Sequence, residues 1–100
     1  MGIAGAHNGF KKPEEFASSV VLYVTTYCGY CRMAENLLRR KGIAFEAVDV
    51  TESDDARAWL IQATRQRTVP QIFIKGRSIG GYSELSALDR NGKLDTMLAD

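Results

Sequence analysis

The stretch VVLYVTTYCGYCRMAENLLRRKG, residues 20–42, governs how the rest of the chain is read. Its first part, Val20 to Thr25, is a β-branched and aromatic run of the kind that forms a short buried strand. Its second part changes period. Ala34, Leu37, Leu38 and Lys41 fall on one side of a helix, Arg39 and Arg40 lie outside, and Gly42 supplies a C-terminal stop. Both cysteines of the chain sit at the junction, in Tyr27-Cys28-Gly29-Tyr30-Cys31. Three readings are open for them: a dithiol switch, half of a metal site, or two inert core residues.

Downstream, Ala44 to Val50 reads as a second strand after a tight connection, which makes a β-α-β unit. Ser53 is a candidate cap, and the negative charge of Asp54 and Asp55 suits the positive end of a helix running to about Thr64. Its expected inner face is Ala56, Trp59 or Leu60, and Ala63. The residue before a proline is pushed towards extended backbone, so the helix stops before Arg67-Thr68-Val69-Pro70 and a strand opens from Gln71 to Lys75. Gly76-Arg77 turns the chain into an antiparallel partner, Ser78 to Gly80. Ser83 is expected to cap a helix with Leu85 and Leu88 inward. Asp89 to Gly92 breaks it, and Leu94, Met97 and Leu98 fit one further turn or two packed on the surface. The order β-α-β-α-β-β-α-α specifies an α/β fold, a four-stranded mixed sheet flanked by helices.

One hundred residues make one compact domain. Residues 19–100 carry the pattern, and 1–18 read as an N-terminal arm, mobile or partly helical. A net charge of +1 with a quarter of the residues charged gives no electrostatic reason to expect a nucleic-acid or membrane partner. The opening MGIAGAHNGFKKPEEF has no basic region followed by a long apolar run, so no secretory signal is expected. Met1-Gly2 is followed by Ala6 where myristoylation wants Ser or Thr. A reducing cytoplasm is therefore the expected compartment, and there two cysteines make a structural disulfide a poor reading.

The thiolate is the nucleophile in disulfide chemistry, and the unpaired N–H groups and dipole of a helix N-terminus favour an anion. Cys28, just ahead of the helix, is placed as nucleophile. Cys31, one turn in, is placed as resolver. Structural zinc needs four ligands, whereas the chain offers two cysteines and His7, so an intramolecular zinc site fails on ligand count.

Three motifs now stand in order: Cys28-Gly29-Tyr30-Cys31, Thr68-Val69-Pro70-Gln71-Ile72-Phe73-Ile74 and Gly80-Gly81-Tyr82-Ser83-Glu84-Leu85. In identity and spacing the chain from about Val20 onward resembles the glutaredoxins. The resemblance implies a thioredoxin-like fold, a redox-active Cys28–Cys31 disulfide, and glutathione-dependent reduction of glutathionylated and disulfide-containing proteins by a monomer. It implies a cis Pro70, with Val69 N–H and C=O pairing with the cysteinyl backbone of glutathione. Thr68 and Gly81 belong to the same implied site. Ser83 and the N–H groups of Ser83 and Glu84 would receive the γ-glutamyl carboxylate, and the Glu84 side chain its α-amino group. The family more often has Asp at position 84, one methylene shorter. Tyr30 would pack beside the tripeptide. Many members meet the glycyl carboxylate with a lysine where this chain has Thr25, which passes that task to Arg57 or Arg67.

A second implication belongs to another class of function. Some members without proline after the first cysteine hold a [2Fe-2S] cluster between two subunits, through one cysteine of each and two glutathiones. Gly29 stands at that position, so a cluster-bridged homodimer through Cys28 is the alternative reading.

Overall fold

The computed structural model describes residues 10–99, so Met1 to Gly9, with His7 and Ala6 among them, and Asp100 lie outside the described residues. Four strands, β1 (Val20–Val24), β2 (Glu46–Asp49), β3 (Gln71–Ile74) and β4 (Arg77–Gly80), form one sheet in the order β2-β1-β3-β4. β1 runs parallel to β2 and antiparallel to β3, and β3 runs antiparallel to β4. The helices are α1 (Gly29–Arg40), α2 (Asp54–Thr64), α3 (Tyr82–Arg90) and α4 (Lys93–Leu98).

β1 and β3 are central, and every one of their residues is buried. Alternation then sorts side chains between two cores. Val20, Leu22, Val24, Ile72 and Ile74 face Cys31, Ala34, Leu37 and Leu38 of α1, Leu85 of α3 and Leu94 of α4. Val21, Tyr23 and Phe73 face Ala56 and Leu60 of α2, with Trp59 packed alongside. Ser53 caps α2 as expected from its sequence, its side chain accepting the Ala56 N–H at 3.1 Å.

Four expectations need correction. Lys41 is the C-cap of α1 rather than an inward residue, and its ammonium bridges Asp89 at 2.7 Å and Asp95 at 3.3 Å. Ala63 is exposed, because α2 lies on the sheet along Ala56 and Leu60 only. Leu94 is fully buried rather than superficial, since α4 folds back onto α1 and α3. The cap of α3 is Gly81, and Ser83 is already inside the helix.

Between Phe10 and Ser18 the chain crosses the α2 side of the sheet, with a 3-10 turn at Pro13–Glu15. Phe10 and Phe16 pack against that core, and the Phe10 ring lies 5.9 Å from Trp59. The Tyr23 hydroxyl donates to the Lys11 carbonyl. Burial first, then the carboxylates of Glu14 and Glu15, push the Tyr23 phenol well above its ordinary value of 10.0. Cys31 is raised from 9.0 to about 12, mainly by burial. Both groups stay neutral in the fold at pH values where the unfolded chain has released their protons, so stability is fully present below about pH 9 and falls as pH rises beyond it. Thermal melts taken upward from neutral pH are expected to show this decline, and Tyr23→Phe to make it shallower; an equal slope in that variant would refute the assignment.

Candidate active site

Cys28 leaves β1 through Thr25 to Tyr27 and becomes the N-cap of α1, with extended backbone at φ −98° and ψ 112°. Its Sγ accepts the Cys31 N–H at 3.1 Å, satisfying one of the free donors of the helix start. The Cys28 thiol also donates to the Val69 carbonyl at 3.4 Å. One sulfur atom thus joins the helix start to the loop before β3. Cys28 is half-buried, whereas Cys31 is 2% exposed. Burial is the largest cause of the rise in Cys31, followed by its hydrogen bond with Cys28, and a backbone hydrogen bond from Thr25 opposes them. The two thiols are unequal: one is reachable, the other sheltered and protonated.

The Val69–Pro70 peptide is cis. Gly81 lies against it, and a Cβ at that position would stand 3.2 Å from the Pro70 carbonyl oxygen. Two cavities meet at Val69, beside this peptide. One, of about 280 Å³, is lined by Tyr30, Gln66, Thr68, Val69, Pro70, Gly81, Tyr82, Ser83 and Glu84. The other, of about 220 Å³, is lined by Thr25, Arg57, Leu60, Ile61, Gln66, Arg67, Thr68 and Val69. Every glutathione-contact residue expected from sequence therefore lines one or both, and Gln66, Thr68 and Val69 stand between them. A wider depression of about 550 Å³ between Phe10, Tyr27 and Glu52 holds none of those residues and neither cysteine.

Within the pair of cavities the side chains differ in how far they are committed. Arg57 donates from Nε to the Val50 carbonyl at 3.1 Å and from Nη2 to the Thr51 carbonyl at 2.9 Å, so it braces the loop between β2 and α2. Arg67 is exposed and makes no hydrogen bond or ion pair among the described residues. The Glu84 carboxylate turns back, Oε1 accepting the Gly81 N–H at 2.8 Å, which begins α3 one residue after Gly81 and explains why Ser83 is not the cap. Tyr30 is 61% exposed and stacks on Tyr82 with centroids 6.2 Å apart. Gln66 and Tyr82 line the cavities, and Gln71 hydrogen-bonds to Gln66 and Thr68 from the core; the sequence assigned none of the three a role at the site. Only Gln71 carried a signal, as a polar residue opening an otherwise apolar strand.

A thioredoxin-like domain with a cysteine capping the helix after β1, opposite a cis-proline loop, defines a thiol redox protein. The glutaredoxin family profile matches residues 20–79. A glutaredoxin from Pseudomonas aeruginosa is 42% identical over 80 residues, covering 80% of this chain and 95% of its own. Glutaredoxin-C2 of Arabidopsis thaliana is 42% identical over 84% of this chain and 78% of its own. Among solved structures, a buckwheat glutaredoxin–glutathione complex superposes with a TM-score of 0.76 at 37% identity, over 81% of this chain and 76% of its own. The chain belongs to the glutaredoxin family.

Proposed function

We propose that the protein is a glutathione-dependent thiol-disulfide oxidoreductase that reduces glutathione mixed disulfides through Cys28, and protein disulfides with Cys31 as resolver. The observation that carries this reading is the unequal thiol pair, with the more accessible member capping a helix beside two cavities. The Cys28 thiolate attacks the glutathione sulfur of a glutathionylated protein, the old S–S bond breaks, and the protein leaves as a thiolate that takes a proton from solvent. A second glutathione, as its thiolate, attacks the glutathione sulfur now on Cys28. Oxidised glutathione leaves, and the Cys28 thiolate returns. For a protein disulfide, Cys28 first forms a mixed disulfide with one protein sulfur and releases the other as a thiolate. Cys31 must then lose its proton and attack Cys28 Sγ, breaking the Cys28–protein bond and releasing the second protein thiolate. Two glutathiones reduce the Cys28–Cys31 disulfide, leaving as oxidised glutathione. The high pKa and burial of Cys31 make that route the slower one.

The two cavities suit the two ends of the tripeptide. The backbone of Val69 offers the strand-like contact for its middle residue. The start of α3, with Ser83 and Glu84, suits the γ-glutamyl carboxylate. Arg67 and Thr25 suit the glycyl carboxylate, with Arg57 holding the wall behind them. A buckwheat relative solved as a glutathione complex supports glutathione as the ligand. A reducing compartment such as the cytoplasm suits a dithiol that works from its reduced form. The test is turnover of a glutathionylated peptide with glutathione as reductant; no turnover by the folded protein would refute the reading.

The cluster-carrying reading has one observation in its favour: a Cβ at Gly29 would have no heavy atom within 4 Å, so the approach to Cys28 is open beside the helix start. Among the described residues no group of three or more potential ligands comes together, so a [2Fe-2S] cluster fits only when shared between two copies, each giving Cys28. Anaerobic reconstitution with iron, sulfide and glutathione would then yield a coloured dimer in solution. A colourless monomer would count against this reading and leave the first intact.

A further inference from the structure

Gln71 is the single polar or charged residue buried in the core among the described residues, at 1% exposure. It opens β3 and faces the same side of the sheet as Phe73, where an apolar side chain would pack beside Tyr23 without any polar cost. Its amide nitrogen instead reaches the Thr68 carbonyl at 2.8 Å, the Gln66 Oε1 at 3.2 Å and the Thr68 Oγ1 at 3.3 Å. Its buried Oε1 accepts from no group among the described residues. The amide has one workable orientation, because exchanging oxygen and nitrogen would set two acceptors against each other at Thr68.

We infer that Gln71 is a positioning residue for the glutathione groove, its buried amide fixing from beneath the course of Gln66 to Val69, the segment that divides the two cavities. The inference rests on the proposed function and adds a residue that does not touch the substrate. Gln66 to Thr68 has no regular secondary structure and is exposed. One end of the segment is held where the Gln66 N–H donates to Thr64 Oγ1 at 3.1 Å, and the other where Cys28 meets the Val69 carbonyl. Among the described residues, only the Gln71 side chain hydrogen-bonds to the middle. Without it both ends stay attached while Thr68, which lines both cavities, is free to shift. A groove that must match a peptide backbone loses affinity first, and the sulfur chemistry at Cys28 least.

The experiment compares Gln71→Leu, which removes the donor at similar volume, with Gln71→Glu, whose carboxylate repels the Thr68 carbonyl and regains a donor when protonated. KM and kcat for a glutathionylated peptide are read as ratios to wild type at each pH. At neutral pH both variants are expected to raise KM about tenfold with kcat within about threefold. Towards acid pH the Glu ratio should shrink and the Leu ratio should not. Ratios near one throughout, in folded variants, overturn the inference. If neither variant folds, Gln66→Ala and Thr68→Val, both at exposed positions, each remove one contact with Gln71; because both also line the cavities, amide exchange at Val69 is the readout, faster exchange supporting the inference and unchanged exchange overturning it. A wild type without turnover would refute the functional reading instead, and amide exchange at Thr68 and Val69, faster in Gln71→Leu if Gln71 holds the segment, would then decide the positioning role alone.

Discussion

Cys28→Ser is expected to lose glutathione-dependent turnover by about a thousandfold or more, because a hydroxyl cannot supply the thiolate that both exchange steps require. Cys31→Ser is expected to retain reduction of a glutathionylated peptide within a few fold and to lose reduction of protein disulfides. The asymmetry follows from depth and charge. Cys28 is accessible and held by the Cys31 N–H, while Cys31 is 2% exposed with its thiol raised to about 12. Assaying the two substrates side by side separates the roles. Activity surviving in the Cys28 variant would reverse the assignment.

Gly80→Ala should damage both stability and substrate binding. Gly80 has φ +106°, a backbone conformation that L side chains rarely adopt, and an added Cβ would lie 2.8 Å from Glu84 Cγ and 2.9 Å from its Oε1. Glu84 cannot swing aside without releasing the Gly81 N–H that it accepts. Strain of roughly 1–3 kcal/mol and a lost cap of about 1 kcal/mol add to a destabilisation of about 2–4 kcal/mol. For a domain of this size each kcal/mol lowers Tm by about 4–8 °C. On the proposed function the KM for the glutathionylated peptide should rise as well, since the start of α3 lines the larger of the two cavities beside Val69. Gly29→Ala is the matched control: open space surrounds that position, and a helix gains from alanine, so Tm should hold or rise. Equal melting of Gly80→Ala and wild type would refute the role given to Gly80.

Periodicity and caps carried most of the architecture. The β-branched run, the cysteine junction and the Ser53 cap each impose a local constraint that the structure keeps, because no distant contact opposes it, whereas the break expected from Asp89 onward comes only at Asn91 and Gly92, the helix running through Asp89 and Arg90. Distant partners account for what was illegible. Helical spacing sets the direction of Lys41 but not the presence of Asp89 and Asp95, which arrive from α3 and α4 and draw its ammonium to the surface. Arg57 looks like a ligand for a carboxylate when read as a charge, yet its acceptors are two carbonyls of a loop whose path no sequence pattern records. Ser83 was a reasonable cap until Glu84 reached back to Gly81, a contact that depends on where β4 ends. In the sequence Gln71 is a motif residue that opens a strand, and its meaning lies in the loop that it supports.

The sheet leaves β2 at one edge, where Glu46, Ala47 and Asp49 are exposed. An edge strand with free backbone groups invites a second copy to add on, and the carboxylates at positions 46 and 49 oppose this by setting negative charge against negative charge in any pairing of like edges. Asp49 keeps that charge to lower pH than an ordinary aspartate, because the Thr51 hydroxyl donates to it at 2.6 Å and the Thr51 N–H at 2.9 Å. The guard at this edge is therefore an electrical one, strong near neutrality, where a net charge of +1 leaves the chain as a whole little repulsion of its own, and withdrawn only in acid.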